Sequence, residues 1–348
     1  MILKTLLPIK KENNDLLPVT GKTIIPIAAG KGGVGKTFLT ANLGLALAEY
    51  GKKTIVIDLH LGGSNLHSFL GLSNQYPGLG EFMRNRHLQL DSLLVPTVSP
   101  NLRFLPGDSR TPFMPNITHA QKERLIAQIN NLQADYVLID LGASTSFHTL
   151  DFFRMAPCGL LLTTPEYPSV MGLLAFLKYF FLRAIVRAFA RQRQLKEFTH
   201  YLSQDPLANE HLNIDLLRNK LIELDPLAIE KLLNLCRQYR PRIVFNMGTH
   251  PNEIELSEQI NKSLASVLAM KAEYLGFIFQ DPAVPEAVRK RAVFMPDYGD
   301  SAAADDIRRL AERIIKFWHQ PIEDSAVRLQ KQTQKLYKTR LKDEKESV

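Results

Sequence analysis

The chain has 348 residues, 45% of them apolar, and 43 Lys and Arg against 35 Asp and Glu give it a net charge of +8. Apolar content at that level supports a sizeable core in one large α/β domain or two smaller ones and excludes a disordered chain. Two cysteines, Cys158 and Cys236, stand far apart with no C-x-x-C, which excludes a disulfide framework and points to a reducing compartment, while the positive balance permits an anionic partner without requiring one.

Residues 1–20 are mixed in character and broken by proline, and they read as a mobile arm. They hold no long apolar run followed by a small-residue cleavage site, so no signal peptide is expected. Residues 23–28 read as a buried strand and residues 37–48 as an apolar helix. Between them Gly30-Lys31-Gly32-Gly33-Val34-Gly35-Lys36-Thr37 fills G-x-x-x-x-G-K-[ST]. The glycines of such a loop let successive backbone N–H groups turn inward on a phosphate, and the following helix N-terminus adds the positive end of its dipole. The expected phosphate contacts are Gly32, Gly33, Val34, Gly35, Lys36, Thr37 and Phe38, with the Lys36 ammonium on the β- and γ-phosphates and the Thr37 hydroxyl on Mg²⁺.

Lys31 is a second lysine that a plain P-loop does not need, and with it the run from Lys31 to Thr37 resembles the deviant Walker A motif of the MinD/ParA family of ATPases. The resemblance implies ATP as ligand and an ATP-dependent homodimer in which Lys31 reaches the partner's nucleotide. It also implies no iron–sulfur cluster, because the relatives that carry one need closely spaced cysteines.

Gly51-Lys52-Lys53 ends the helix and residues 54–58 read as a second buried strand. Strand, helix and strand with continuous apolar runs predict an α/β fold with a mostly parallel sheet covered by helices on both faces. Asp58-Leu59-His60-Leu61-Gly62-Gly63-Ser64-Asn65-Leu66-His67 is similar to the family's second acidic motif, and its continuation looks most like the FlhG/FleN-type branch. By resemblance Asp58 belongs to the Mg²⁺ shell, and His60 stands where a second acidic residue positions the attacking water. The implied catalytic set is Lys31, Lys36, Asp58 and His60.

Residues 134–140 form an apolar run closed by Asp140, the Walker B arrangement in which a strand-end carboxylate holds Mg²⁺ through water. Thr37, Asp58 and Asp140 therefore make up the expected metal set. Asp140-Leu141-Gly142-Ala143-Ser144 resembles the family's mobile switch, with Ser144 in place of a glycine, which predicts a stiffer loop. The apolar stretch 167–190 is interrupted by Lys178, Arg183 and Arg187, so no transmembrane helix is expected.

Residues 172–240 read as a helical insertion, with Arg183, Arg187 and Arg191 at i, i+4 and i+8. Such a stripe is either a solvated face or a docking surface for DNA, an acidic membrane surface or a protein. Residues 242–246 return to strand and end on Asn246, where the family has an asparagine that reads the adenine edge. Residues 281–288 resemble the family's last loop and helix beside the base. Ile307, Leu310, Ile314 and Phe317 form one face of a closing helix expected to pack on the sheet. Residues 321–348 are charged and mixed in sign, predicting a disordered tail or a solvated helix.

The expected organisation is an arm over 1–20, a P-loop ATPase domain over 21–320 with its insertion, and a charged tail over 321–348. The resemblance implies an ATP-binding, slowly hydrolysing dimerisation switch of the MinD/ParA type that positions or regulates another cellular assembly through an unidentified protein partner. Its expected place is the cytoplasm, peripheral to membrane or nucleoid. Two other readings stay open: a pseudoenzyme with structural nucleotide, favoured by His60 and Ser144, and a non-specific DNA-binding partition factor, favoured by the net charge and the arginine stripe.

Overall fold

The computed structural model describes residues 21–60, 63–107, 117–189 and 239–346 except 269, together with isolated positions between 190 and 238. The expected arm over 1–20, Arg191 and most of the insertion lie outside the described residues.

The strands are β1 (Thr23–Ala29), β2 (Thr54–Leu59), β3 (Val95–Pro96), β4 (Leu102–Leu105), β5 (Tyr136–Leu141), β6 (Leu160–Thr163), β7 (Arg242–Gly248) and β8 (Glu273–Phe279). The helices are α1 (Lys36–Glu49), α2 (Leu66–Phe69), α3 (Leu79–Arg84), α4 (His119–Asn131), α5 (Phe147–Phe153), α6 (Tyr167–Ala188), α7 (Leu256–Leu268), α8 (Ala283–Lys290), α9 (Phe294–Asp297), α10 (Ala302–Phe317) and α11 (Ser325–Glu346). One sheet runs in the order β3-β4-β2-β5-β1-β6-β7-β8, parallel throughout except for the short β3–β4 pair.

The unbroken apolar runs follow from this topology, because a strand covered on both faces buries odd and even positions alike. In β1, Ile25, Ile27 and Ala29 pack with Leu39, Leu43 and Leu47 of α1 and with Ile307, Leu310 and Ile314 of α10. Ala28 points the other way, into a core with Phe176, Phe180 and Phe181 of α6. Strands β5 and β2 lie on one side of β1 and β6 to β8 on the other. The chain therefore switches sides at β1, and the crevice at the strands' carboxyl ends is where such sheets take ligands.

Helix α6, 22 residues, is long and apolar enough by length and composition to cross a membrane. Its Leu173, Phe176, Leu177, Phe180, Phe181 and Ile185 are buried in the sheet core, and Phe153 meets Phe176 and Phe180 edge-on at 5.1 and 5.2 Å. It serves as a core helix here.

The arginine stripe needs correction. Arg183 donates from Nε and Nη2 to the buried Asp151 of α5 at 3.1 Å each, Arg187 stands 3.6 Å from the same carboxylate, and Lys122 of α4 closes on it from the third side. These arginines turn inward because a buried carboxylate without a cation is far more costly than a partly buried guanidinium. Neither a solvated face nor an open docking stripe describes them.

The tail takes the helical one of its two expected forms, but docked on the sheet. Residues 325–346 form α11, which packs on β8 with Ser325, Leu329 and Thr333 buried. The Tyr274 N–H donates to Ser325 Oγ at 3.0 Å, and Arg340 pairs with the buried Asp306 of α10 at 2.7 Å. The helix is long and its buried contacts are sparse, so composition alone reads as solvated. Arg242, fully buried, fastens the turn before it by donating to Glu273 at 2.9 Å and to the carbonyls of Phe317 and Gln320 at 3.0 and 2.9 Å.

Candidate functional site

The glycine-rich loop leaves β1 and enters α1. Gly33 and Gly35 both sit at φ 83°, a left-handed backbone that side chains strain. A methyl group on Gly30 would stand 1.9 Å from the carbonyl oxygen of Gly172, so the loop lies directly against the first turns of α6. Lys31 is exposed on this rim. Phe147 of α5 and Tyr167 and Met171 of α6 are exposed large apolar side chains in the helices that follow the carboxyl ends of β5 and β6.

Parallel pairing of β2 with β5 sets Asp58 opposite Asp140, and both carboxylates are fully buried. Lys36 Nζ lies 2.6 Å from Asp140 Oδ1, while Thr37 Oγ1 donates to Asp140 Oδ2 at 2.8 Å and Thr40 Oγ1 to Oδ1 at 3.1 Å. Asp58 accepts the backbone N–H of His60 at 3.1 Å and of Leu66 at 3.0 Å, which ties the loop after β2 to its own strand. Burial and then the charge of Asp140 push the Asp58 carboxyl up to about 6, over the opposing pull of those two N–H groups and Lys36.

One ammonium thus faces two buried carboxylates. A hard divalent cation with oxygen ligands would complete the balance, and the Thr37 hydroxyl beside the Asp140 carboxylate, with Asp58 next to it, is the donor set Mg²⁺ takes. The residues fit the ion. Asp58 would act through water, since its oxygens already hold the loop.

His60 leaves the end of β2 and wedges between two loops: methyl groups on Gly63 or Gly142 would each come within 3.0 Å of its ring. Burial, then the Lys36 charge, lowers its pKa, so the ring is neutral at pH 7, and Nδ1 is buried without a hydrogen-bond partner. His60 and His148 line a cavity of about 260 Å³ with Ser144, Ser146 and Thr149. The Ser144 hydroxyl bonds Thr149 Oγ1 at 3.0 Å, a contact that a glycine at position 144 would not make, and Ser146 caps α5 by accepting from the Thr149 N–H at 3.3 Å.

At the other end of the glycine-rich loop, Asn246 Nδ2 donates to the Val34 carbonyl at 2.8 Å, joining β7 to the loop. The next residue, Met247, holds φ 58°, a left-handed conformation that costs a non-glycine residue on the order of 1 kcal/mol. Nothing in the sequence signals that strain. Asn246 and Met247 open onto a cavity of about 1070 Å³ that begins at Gly35 and Phe38 and is walled by Phe69, Ile278, Pro282 and Val288. Tyr337, Arg340 and Leu341 of α11 close it, and these the sequence did not point to because their segment read as a solvated tail.

The structure therefore brings together Lys36, Thr37, Asp58, His60 and Asp140 at one end of the loop and Phe38 and Asn246 at the other, with Lys31 at the rim. A phosphate loop on the first strand of a doubly wound parallel sheet, with a strand-end carboxylate on its neighbour, defines an α/β P-loop NTPase. Residues 25–293, more than half of the chain, match the CobQ/CobB/MinD/ParA nucleotide binding domain, and the chain belongs to that family.

Among its relatives, the septum site-determining protein MinD of Synechocystis is 28% identical over 262 residues, covering 75% of this chain and 87% of its own. That of Helicobacter pylori is 36% identical over 151 residues, 42% of this chain and 54% of its own. The chain spans about half the length of most of the curated relatives it matches. In structure it is similar to Pyrococcus horikoshii MinD complexed with Mg-ADP, with TM-score 0.58, 19% identity and coverage of 86% of this chain and 100% of that one. The MinC:MinD complex of Aquifex aeolicus gives TM-score 0.55 at 21% identity, covering 87% of this chain and 99% of that one.

Proposed function

We propose that the protein is an ATP-binding, slowly hydrolysing dimerisation switch of the MinD/ParA type, acting in the cytoplasm to position or regulate another assembly. The carrying observation is the buried trio of Lys36, Asp58 and Asp140 with Thr37, one positive charge short of balance at the end of a phosphate loop. Mg²⁺ would be held by the Thr37 hydroxyl and, through water, by Asp140 and Asp58, and it would shield the phosphates' charge. Lys36 would exchange its Asp140 partner for the β- and γ-phosphate oxygens.

Dimerisation is supported by the exposed Lys31 on the rim and by Phe147, Tyr167 and Met171, exposed in helices that start from the same carboxyl end of the sheet. Structurally similar proteins fit the same reading: one is a MinD complexed with Mg-ADP and one a Borrelia partition protein bound to AMPPNP. Slow turnover follows from His60, whose neutral, half-buried ring offers a single acceptor nitrogen where a carboxylate offers two oxygens. The run Asn65-Leu66-His67 favours the FlhG/FleN-type branch. A partition factor is disfavoured, because Arg183 and Arg187 are committed to Asp151.

Light scattering with a non-hydrolysable ATP analogue tests the switch. The parent is expected to dimerise, and Lys31→Ala to bind the analogue as the parent does while staying monomeric. A parent that binds the analogue and remains monomeric rejects the switch. Single-turnover hydrolysis is expected to rise in His60→Asp.

A further inference from the structure

The cavity beyond Asn246 has a wall that the family domain does not provide. The matched region ends at residue 293, whereas Tyr337, Arg340 and Leu341 come from α11, more than forty residues further on. We propose that α11 supplies part of the nucleobase pocket, with Tyr337 and Leu341 touching the base or ribose of the bound nucleotide and Arg340 positioning them. The inference rests on the proposed ATP site and adds to it a recognition element from outside the family domain.

Continuity with the phosphate loop identifies the occupant. Gly35 and Phe38 belong to the loop and the first turn of α1, and both line the cavity. A nucleotide with its phosphates on the loop must send its sugar and base here. The volume of about 1070 Å³ accommodates a nucleoside with water around it. The walls are aromatic and aliphatic, from Phe38, Phe69, Ile278, Val288 and Tyr337, with the Asn246 amide and the Gln280 side chain among few polar groups. That is the chemistry of a planar heterocycle with polar edges.

Tyr337 is held in place by aromatic neighbours: its ring stacks on Phe279 at 5.8 Å and 14°, and the His250 ring meets it edge-on at 5.1 Å. One turn on, Arg340 pairs with both oxygens of Asp306 at 2.7 and 3.1 Å and donates to the Ala302 carbonyl at 3.0 Å. Asp306 in turn accepts the Phe279 N–H at 3.0 Å, at the last residue of β8. The register of α11 against the sheet is therefore set at the residues that shape the pocket. Because docking and base contact share these side chains, nucleotide binding and helix docking are linked, each favouring the other.

The test uses the full chain with two probes, ATP and inorganic tripolyphosphate, which has no base or sugar. Tyr337→Ala is expected to weaken ATP about tenfold, as losing one aromatic contact to a base does, and to leave tripolyphosphate unchanged. Tyr337→Phe is expected to keep the parent's ATP affinity, since the ring makes the contact. Leu341→Ser, at a partly exposed position, gives a second variant that does not depend on the stacked ring, with the same selective loss in smaller degree. Hydrogen exchange of α11 is expected to slow with ATP and not with tripolyphosphate. ATP affinity unchanged in both variants, equal loss for both probes, or exchange that ATP does not slow would each overturn the proposal. A parent that binds neither probe would instead overturn the ATP site itself.

Discussion

Two clusters of buried charge flank the loop over residues 142–146, and they are balanced in opposite ways. Before the loop, Asp140 and Asp58 share the single ammonium of Lys36, and the Asp58 carboxyl is pushed up to about 6 by burial and by its carboxylate neighbour. After it, burial would raise Asp151 too, but hydrogen bonds from Arg183 and Lys122 and the charges of Arg183 and Arg187 together outweigh burial and hold it below the ordinary carboxylate value. The first cluster is short of positive charge and has a use for a ligand that brings some. The second is complete, and it fastens α4, α5 and α6 to one another. Burial of charge therefore does not mark a functional site by itself; an unfinished balance does.

Breaking the completed cluster carries the largest expected effect. Arg183→Glu with Arg187→Glu leaves Asp151 with Lys122 alone against two added carboxylates, and urea denaturation should show a loss of about 3–5 kcal/mol, the cost of breaking a buried ion cluster. The remaining folded protein should bind ATP normally. A loss under about 1 kcal/mol would mean that the arginines are surface groups after all.

At the unfinished cluster, Lys36→Ala should weaken ATP by about 2–3 kcal/mol, roughly 30- to 150-fold, since one charged donor to the phosphates is removed. Titration calorimetry reads this directly, and unchanged affinity would break the assignment of the loop.

The pH dependence of stability separates the clusters by sign. Between the Asp58 values of 3.8 unfolded and about 6 folded, the native state holds the extra proton. Stability of the metal-free chain should therefore fall as pH rises from about 4 to about 6, by on the order of 1–3 kcal/mol from this group, and Asp58→Asn should remove that slope. Asp151, with its folded value depressed, contributes stability above its unfolded value and loses it only as pH falls below that. Urea titrations of parent and variant at several pH values distinguish the two.

The smallest effect is expected at the loop between the clusters. Ser144→Gly gives up the bond to Thr149, and the melting temperature should fall by an amount equivalent to about 1 kcal/mol or less. Faster hydrogen exchange confined to residues 142–149 would sharpen the view that Ser144 stiffens this loop.

What the amino-acid sequence determined without help was local pattern in the chain. The glycine-rich loop, the apolar runs of β1, β2, β5, β7 and β8, and the strand-end Asp58 and Asp140 are legible because backbone conformation, strand burial on two faces and strand-to-loop position leave their pattern within a few residues. What tertiary structure alone decided was which distant groups meet. Arg183 reads as a surface residue until Asp151, 32 positions away, is brought beneath it, and α11 reads as solvated until Arg340 reaches Asp306, 34 positions away. His60 reads from its motif as a residue beside the attacking water, and only the fold shows its ring packed against Gly142 of the neighbouring strand's loop. In each case the deciding quantity is the desolvation of a charge or a ring by chain far away, and that free energy exists only once the sheet has assembled.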